Sequence, residues 1–137
     1  MALTVAFRGG TKFEISTDRH TIISDQPTDD GGTDAGMSPV ELFVGALAGC
    51  VGYFVGRYCA RHGISCEGLT IRAGWSTAER PHRIGAVDLQ IVLPALLDVA
   101  AHEKLLKVAH GCTLHQTLAF SPQVAIEIVP SLAPSTS

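Results

Sequence analysis

The chain has 137 residues, a single-domain length, and with 46% hydrophobic against 17% charged residues it is too apolar for a disordered segment. Thirteen acidic against ten basic residues leave a formal charge of −3, without the basic footprint that DNA or RNA binding requires. The longest uncharged apolar run, Leu42 to Gly56, falls short of the roughly 18 residues of a membrane span, and the opening MALTVAFRGG lacks signal-peptide anatomy, so a soluble cytoplasmic protein with no membrane or nucleic-acid partner is expected.

Leu3, Val5 and Phe7 alternate with Thr4, Ala6 and Arg8, Gly9-Gly10 turns the chain, and Phe13 and Ile15 alternate with Lys12, Glu14 and Ser16. This period of two predicts a hairpin, and His20 to Ser24 adds a third β-branched strand to make a meander. Residues 25–37, DQPTDDGGTDAGM, read as an acidic, glycine-rich surface loop. Asp29, Asp30 and Asp34 lack the regular ligand spacing of a calcium loop.

A helix start follows at once. Ser38 is the capping residue, Pro39 occupies the first helical position, and Glu41 stands where its side chain can bond back to the cap amide. The run from Leu42 to about Arg61 is apolar on every face until Arg57 and Arg61, and His62-Gly63 stops it. A helix apolar all round is expected to be buried all round, and the small sheets of one chain cannot enclose it, so a second subunit is predicted to complete the cover. Beyond it, Leu69, Ile71, Ala73 and Trp75 alternate, as do Val87, Leu89, Ile91 and Leu93, with a turn near Glu79-Arg80-Pro81. Asp98 caps a helix through Ala109 that Gly111 ends, a short helix opens near Cys112, and Val124, Ile126 and Ile128 alternate as a last strand. The order of elements is that of an α+β domain: meander and loop over 1–37, central helix over 38–63, a β-β-α-α-β portion over 64–130, and a frayed tail over 131–137.

Four cysteines, Cys50, Cys59, Cys66 and Cys112, form no C-x-x-C pair, and the composition is not that of a small secreted scaffold. Reduced or redox-active thiols are therefore expected rather than structural bridges. Cys50 lies in the middle of the apolar helix, where an inert core cysteine is the default reading. Cys112 follows a helix-ending glycine and opens the next helix, where amide dipoles favour a thiolate. Cys59 and Cys66 read as core or strand-edge residues without a partner at an informative spacing. His110, Cys112 and His115 spell H-x-C-x-x-H but lack the fourth ligand and paired spacing of a metal site, so no metal is expected.

The arrangement FEISTDRHTIISDQP, a glycine-rich loop, SPVELFVGALAGC and a distant HGCTLHQTL resembles the OsmC/Ohr family of thiol-dependent peroxidases, over nearly the whole chain. The resemblance implies an OsmC-like fold, in which small antiparallel sheets wrap long central helices in an intertwined homodimer. It implies Cys50 as the peroxidatic thiol, Cys112 as the resolving thiol, organic hydroperoxides as substrates, an external dithiol or lipoyl-type reductant, and no bound cofactor. Arg19 matches the family's thiolate-stabilising arginine and Glu41 the glutamate that holds it. In the better-known hydroperoxide reductases that glutamate directly follows the proline, whereas here Val40 holds that place. Glu41 and Cys50 are nine residues apart, on opposite helix faces and about 13 Å apart along the axis. The capping box alone accounts for Glu41, and the departure points to the OsmC-like branch. The alternative function is a non-enzymatic redox sensor or small hydrophobic ligand-binding dimer on the same fold.

Overall fold

The computed structural model describes residues 1–131, and most of the predicted tail lies outside them. Strands β1 (Thr4–Phe7), β2 (Phe13–Ser16) and β3 (Thr21–Ser24) form an antiparallel meander in chain order. Its register places Val5 opposite Ile15, Phe7 opposite Phe13, and Ile15 opposite Ile22, so these side chains share one face. The Phe7 and Phe13 rings meet edge to face at 5.7 Å. Yet Val5, Phe7, Phe13 and Ile22 are all exposed, because among the described residues only the start of α1, at Pro39, borders this face.

Helix α1 (Pro39–Arg61) starts where the capping residues require. The Glu41 amide donates to Ser38 Oγ at 3.2 Å and the Ser38 amide to Glu41 Oε1 at 3.1 Å, the reciprocal pair of a capping box. Its 23 residues are long and apolar enough to cross a bilayer by length and composition, which the shorter charge-free run was not. Packing gives it another role. Val44, Leu47, Val51, Val55 and Cys59 recur at three and four positions and are buried as one stripe, the spine of the core. The expectation of burial on every face fails within a single chain: Val40, Phe43 and Tyr53 point outward, since one hairpin and two short helices can line only one side of a helix this long.

The covering hairpin is β4 (Thr70–Ala78) with β5 (Arg83–Val92), antiparallel, with Ile71 opposite Ile91, Ala73 opposite Leu89 and Trp75 opposite Val87. Val87, Leu89 and Ile91 pack against the stripe of α1. Helices α2 (Val99–His110) and α3 (Thr113–Ala119) pack on α1 within the same core cluster, and Leu105 of α2 joins the buried residues. Asp98 caps α2 by accepting the Ala101 amide at 2.7 Å.

The predicted last strand does not form. Val124, Ile126 and Ile128 lie in irregular chain and are strongly exposed, and β4–β5 remains two-stranded. Alternation marks a segment able to pair, but a strand exists only when a neighbouring edge accepts its backbone groups, and no edge among the described residues does.

Candidate functional site

The α2–α3 corner brings the two expected redox residues together. Cys50 is half-buried near the middle of α1 and packs on the core cluster that contains Cys112. Cys112 is the capping residue of α3, fully buried, and its Sγ accepts the His115 amide at 3.3 Å. The two thiols are neighbours in this cluster. Burial pushes the Cys112 thiol pKa up, the His115 amide opposes this, and the Cys50 thiol adds to it. Cys112 is therefore held as a thiol in the resting protein, although its position at a helix start predicted the opposite.

A cavity of about 190 Å³ opens beside the pair. It is lined by Phe43, Ala46, Leu47, Leu114, Thr117 and Leu118. Ala46 and Leu47 stand one helical turn before Cys50, and Leu114 follows Cys112 by two residues, so the cavity lies about one helical turn from the thiols, which do not themselves line it. His115 Nδ1 donates to the His110 carbonyl oxygen at 2.7 Å, and the two rings pack edge to face at 5.1 Å. The contact occupies Nδ1 of His115.

Arg19 and Glu41 are elsewhere. Arg19 is exposed in the turn between β2 and β3, where its amide donates to Thr17 Oγ1 at 3.3 Å, and the sheet that carries it has little contact with α1. Within one chain it is not part of the thiol site. Glu41 is committed to the capping box, and helical geometry puts it across the helix from Cys50.

Residues 31–127 match the family of OsmC-like proteins. The chain belongs to that family. No curated protein sequence matches this OsmC-like chain, but solved structures do. A protein from Psychrobacter arcticus, named for osmotic stress induction and a detoxification response, shares 23% identity with a TM-score of 0.79, over 85% of this chain and 87% of its own. The OsmC-like protein from Mycoplasma pneumoniae shares 16% identity with a TM-score of 0.74, over 86% of each chain. The organic hydroperoxide resistance protein OhrB of Bacillus subtilis shares 23% identity with a TM-score of 0.59, over 85% and 90%. These likenesses establish the OsmC-like α+β fold.

Two features of this OsmC-like chain escaped the sequence reading. Asp25, assigned to a solvated loop, is only 1% exposed. Its carboxylate accepts from the hydroxyls of Thr11 and Thr33 and from the amides of Gln26, Thr33 and Ala35, so the 25–37 loop is wound around one buried charge. The Thr11 hydroxyl, with Thr33 and the amides behind it, holds the carboxyl well below the usual carboxylate range against the opposing cost of desolvation. Glycine is required at Gly32 and Gly36, where a Cβ would collide with the carbonyls of Gln26 and Ile23. The second feature concerns Cys59 and Cys66, read as core or strand-edge residues with no partner at an informative spacing: Cys59 is buried in the core, and the chain reversal at Gly63, whose φ is +65°, brings Cys66 back beside it. Seven residues are two helical turns, but α1 ends at Arg61 before Cys66 is reached, so it is the reversal and not the helix that makes the pair.

Proposed function

We propose that this OsmC-like chain is a thiol-dependent peroxidase that reduces organic hydroperoxides to alcohols, acting as a cytoplasmic homodimer. The observation that carries this reading is the meeting of a half-buried and a fully buried thiol beside an apolar cavity. A peroxide entering from solvent meets Cys50 first. The Cys50 thiolate attacks the outer oxygen, the O–O bond breaks, and the alcohol leaves after gaining a proton, with Cys50 oxidised to the sulfenic acid. Cys112, kept protonated by burial, then gives its sulfur to Cys50, water departs, and a Cys50–Cys112 disulfide remains. An external dithiol of the lipoyl type restores both thiols by exchange, and no bound cofactor takes part.

The thiolate needs a cation, because an apolar setting favours the protonated thiol. Arg19 of a second copy is the candidate. The uncovered apolar face of β1–β3, the outward Phe43 and Tyr53 of α1, and the unpaired Val124, Ile126 and Ile128 are the surfaces such a copy would cover. An obligate pair of this kind buries upward of about 2,000 Å².

Catalytic loss of cumene hydroperoxide in the presence of dithiothreitol or a lipoyl dithiol tests the reading, with Cys50→Ser expected to abolish turnover. Peptide mapping after one equivalent of peroxide should find Cys50 joined to Cys112. The commitment of Glu41 to the helix cap favours a second reading, a redox sensor or ligand-binding dimer. That reading predicts one stoichiometric oxidation without turnover.

A further inference from the structure

The second thiol pair lies at the far end of α1. Cys59 is fully buried in the last turns of the helix, and Cys66 is half-buried in the connector to β4. The connector is folded back tightly: the Ile64 amide donates to the Cys59 carbonyl at 2.9 Å, the Leu69 amide to the Cys66 carbonyl at 3.0 Å, and the Cys66 thiol to the Gly56 carbonyl at 3.5 Å. Gly63 and Gly68, both at positive φ, turn the chain on either side of Cys66. Cys66 thus lies against the last two turns of α1 with its sulfur beside that of Cys59.

From this geometry we propose that Cys59 and Cys66 form a second redox dithiol, which closes to an intrachain disulfide on exchange with a small-molecule disulfide and clips the end of α1 to the connector. Cys66, the more accessible thiol, attacks the incoming disulfide, forming a mixed disulfide and releasing one small thiol. Cys59 then attacks the Cys66 sulfur, releasing the second small thiol. The protein loses two protons and two electrons, both taken up by the small-molecule disulfide. Bonding requires the sulfurs to close to about 2.05 Å, which asks the connector to bring Cys66 further onto the last turns of α1 that its thiol already touches at Gly56. The pair is independent of the Cys50 site. Cys59 follows Cys50 by nine residues, so the two stand on opposite faces of α1 and about 13 Å apart along its axis. Burial and the neighbouring Cys66 thiol push the Cys59 pKa up, so the buried sulfur is not tuned to meet peroxide quickly. A slow exchange partner suits a pair that reports the ambient thiol–disulfide balance.

The test uses the full chain carrying Cys50→Ser and Cys112→Ser, equilibrated in buffers of graded reduced and oxidised glutathione. The expected product is an intrachain Cys59–Cys66 disulfide, seen by peptide mapping as the loss of two hydrogens, with an upward shift in melting temperature of about 5 °C. Adding Cys66→Ala should abolish both changes. If the double serine variant does not fold, the same mapping on the unaltered chain reports the pair directly. A stable glutathione adduct on Cys66 without closure, pairing that appears only after unfolding, or thiols that stay free in fully oxidising buffer would overturn the proposal.

Discussion

The two sheets of this chain are written in the same code and meet different fates. Both β1–β2–β3 and β4–β5 alternate apolar and polar residues, and both are antiparallel with a regular register. Val87, Leu89 and Ile91 of the second find the buried stripe of α1, whereas Val5, Phe7, Phe13 and Ile22 of the first stay exposed. Alternation specifies that a sheet has an apolar face and leaves open what covers it. Connection length decides the rest: β4 follows α1 through a short reversal and folds back on it, while the 25–37 loop, anchored on Asp25, separates β3 from the helix start.

The comparison breaks most visibly at the level of assembly. A charge placed on the open face, Phe7→Glu, should reduce the sedimenting species from a dimer to one chain of 14.4 kDa. A parent protein that is already a folded monomer at micromolar concentration would show that the open face needs no cover. On the covered side, Leu105→Ala should cost about 2–5 kcal/mol in chemical denaturation, because it empties a packed core. The matched change Ile22→Ala should cost far less in a monomeric variant and more in the dimer.

Asp25 sharpens the contrast, since it fixes how the first sheet departs from the helix. Its folded-state pKa is depressed, so its contribution is fully present above the unfolded value of about 3.9 and is lost as pH falls toward the lower folded value. Asp25→Asn should lower the melting temperature by several degrees at neutral pH. It should also flatten the fall in stability below about pH 4 that the parent shows in an acid melting series.

Arg19 asks whether the first sheet reaches a partner's thiol. Arg19→Ala should raise the Cys50 pKa and slow its oxidation, by about tenfold for each unit that the pKa rises above the assay pH. Glu41→Gln should produce the smallest change of the series, because glutamine keeps the capping box while the charge is lost. Stopped-flow oxidation across pH, on variants with unchanged dimerisation, separates the two. Equal losses would restore an arginine–glutamate pair. If neither substitution has an effect, the thiolate is held by another cation, such as Arg57 or Arg61.

Much of the fold was legible because its determinants are local. Ser38, Pro39 and Glu41 announce the start of α1 within four residues, Asp98 and Gly111 bracket α2, and the strands follow a period of two read along a few positions. The motif around Cys50 and the later HGC were enough to recognise the family from sequence. Contacts that close only in space were not legible. The sequence by itself determined the three helices and five of the six expected strands, how α1 and α2 are capped, and which cysteines to watch. Only the tertiary structure decided that Asp25 gathers a loop around a buried charge, that Cys59 meets Cys66, that Val124 to Ile128 lacks an edge to pair with, and which sheet α1 covers. The physical reason is one of range: capping and periodicity act within a few residues, whereas burial and pairing depend on where distant segments come to rest.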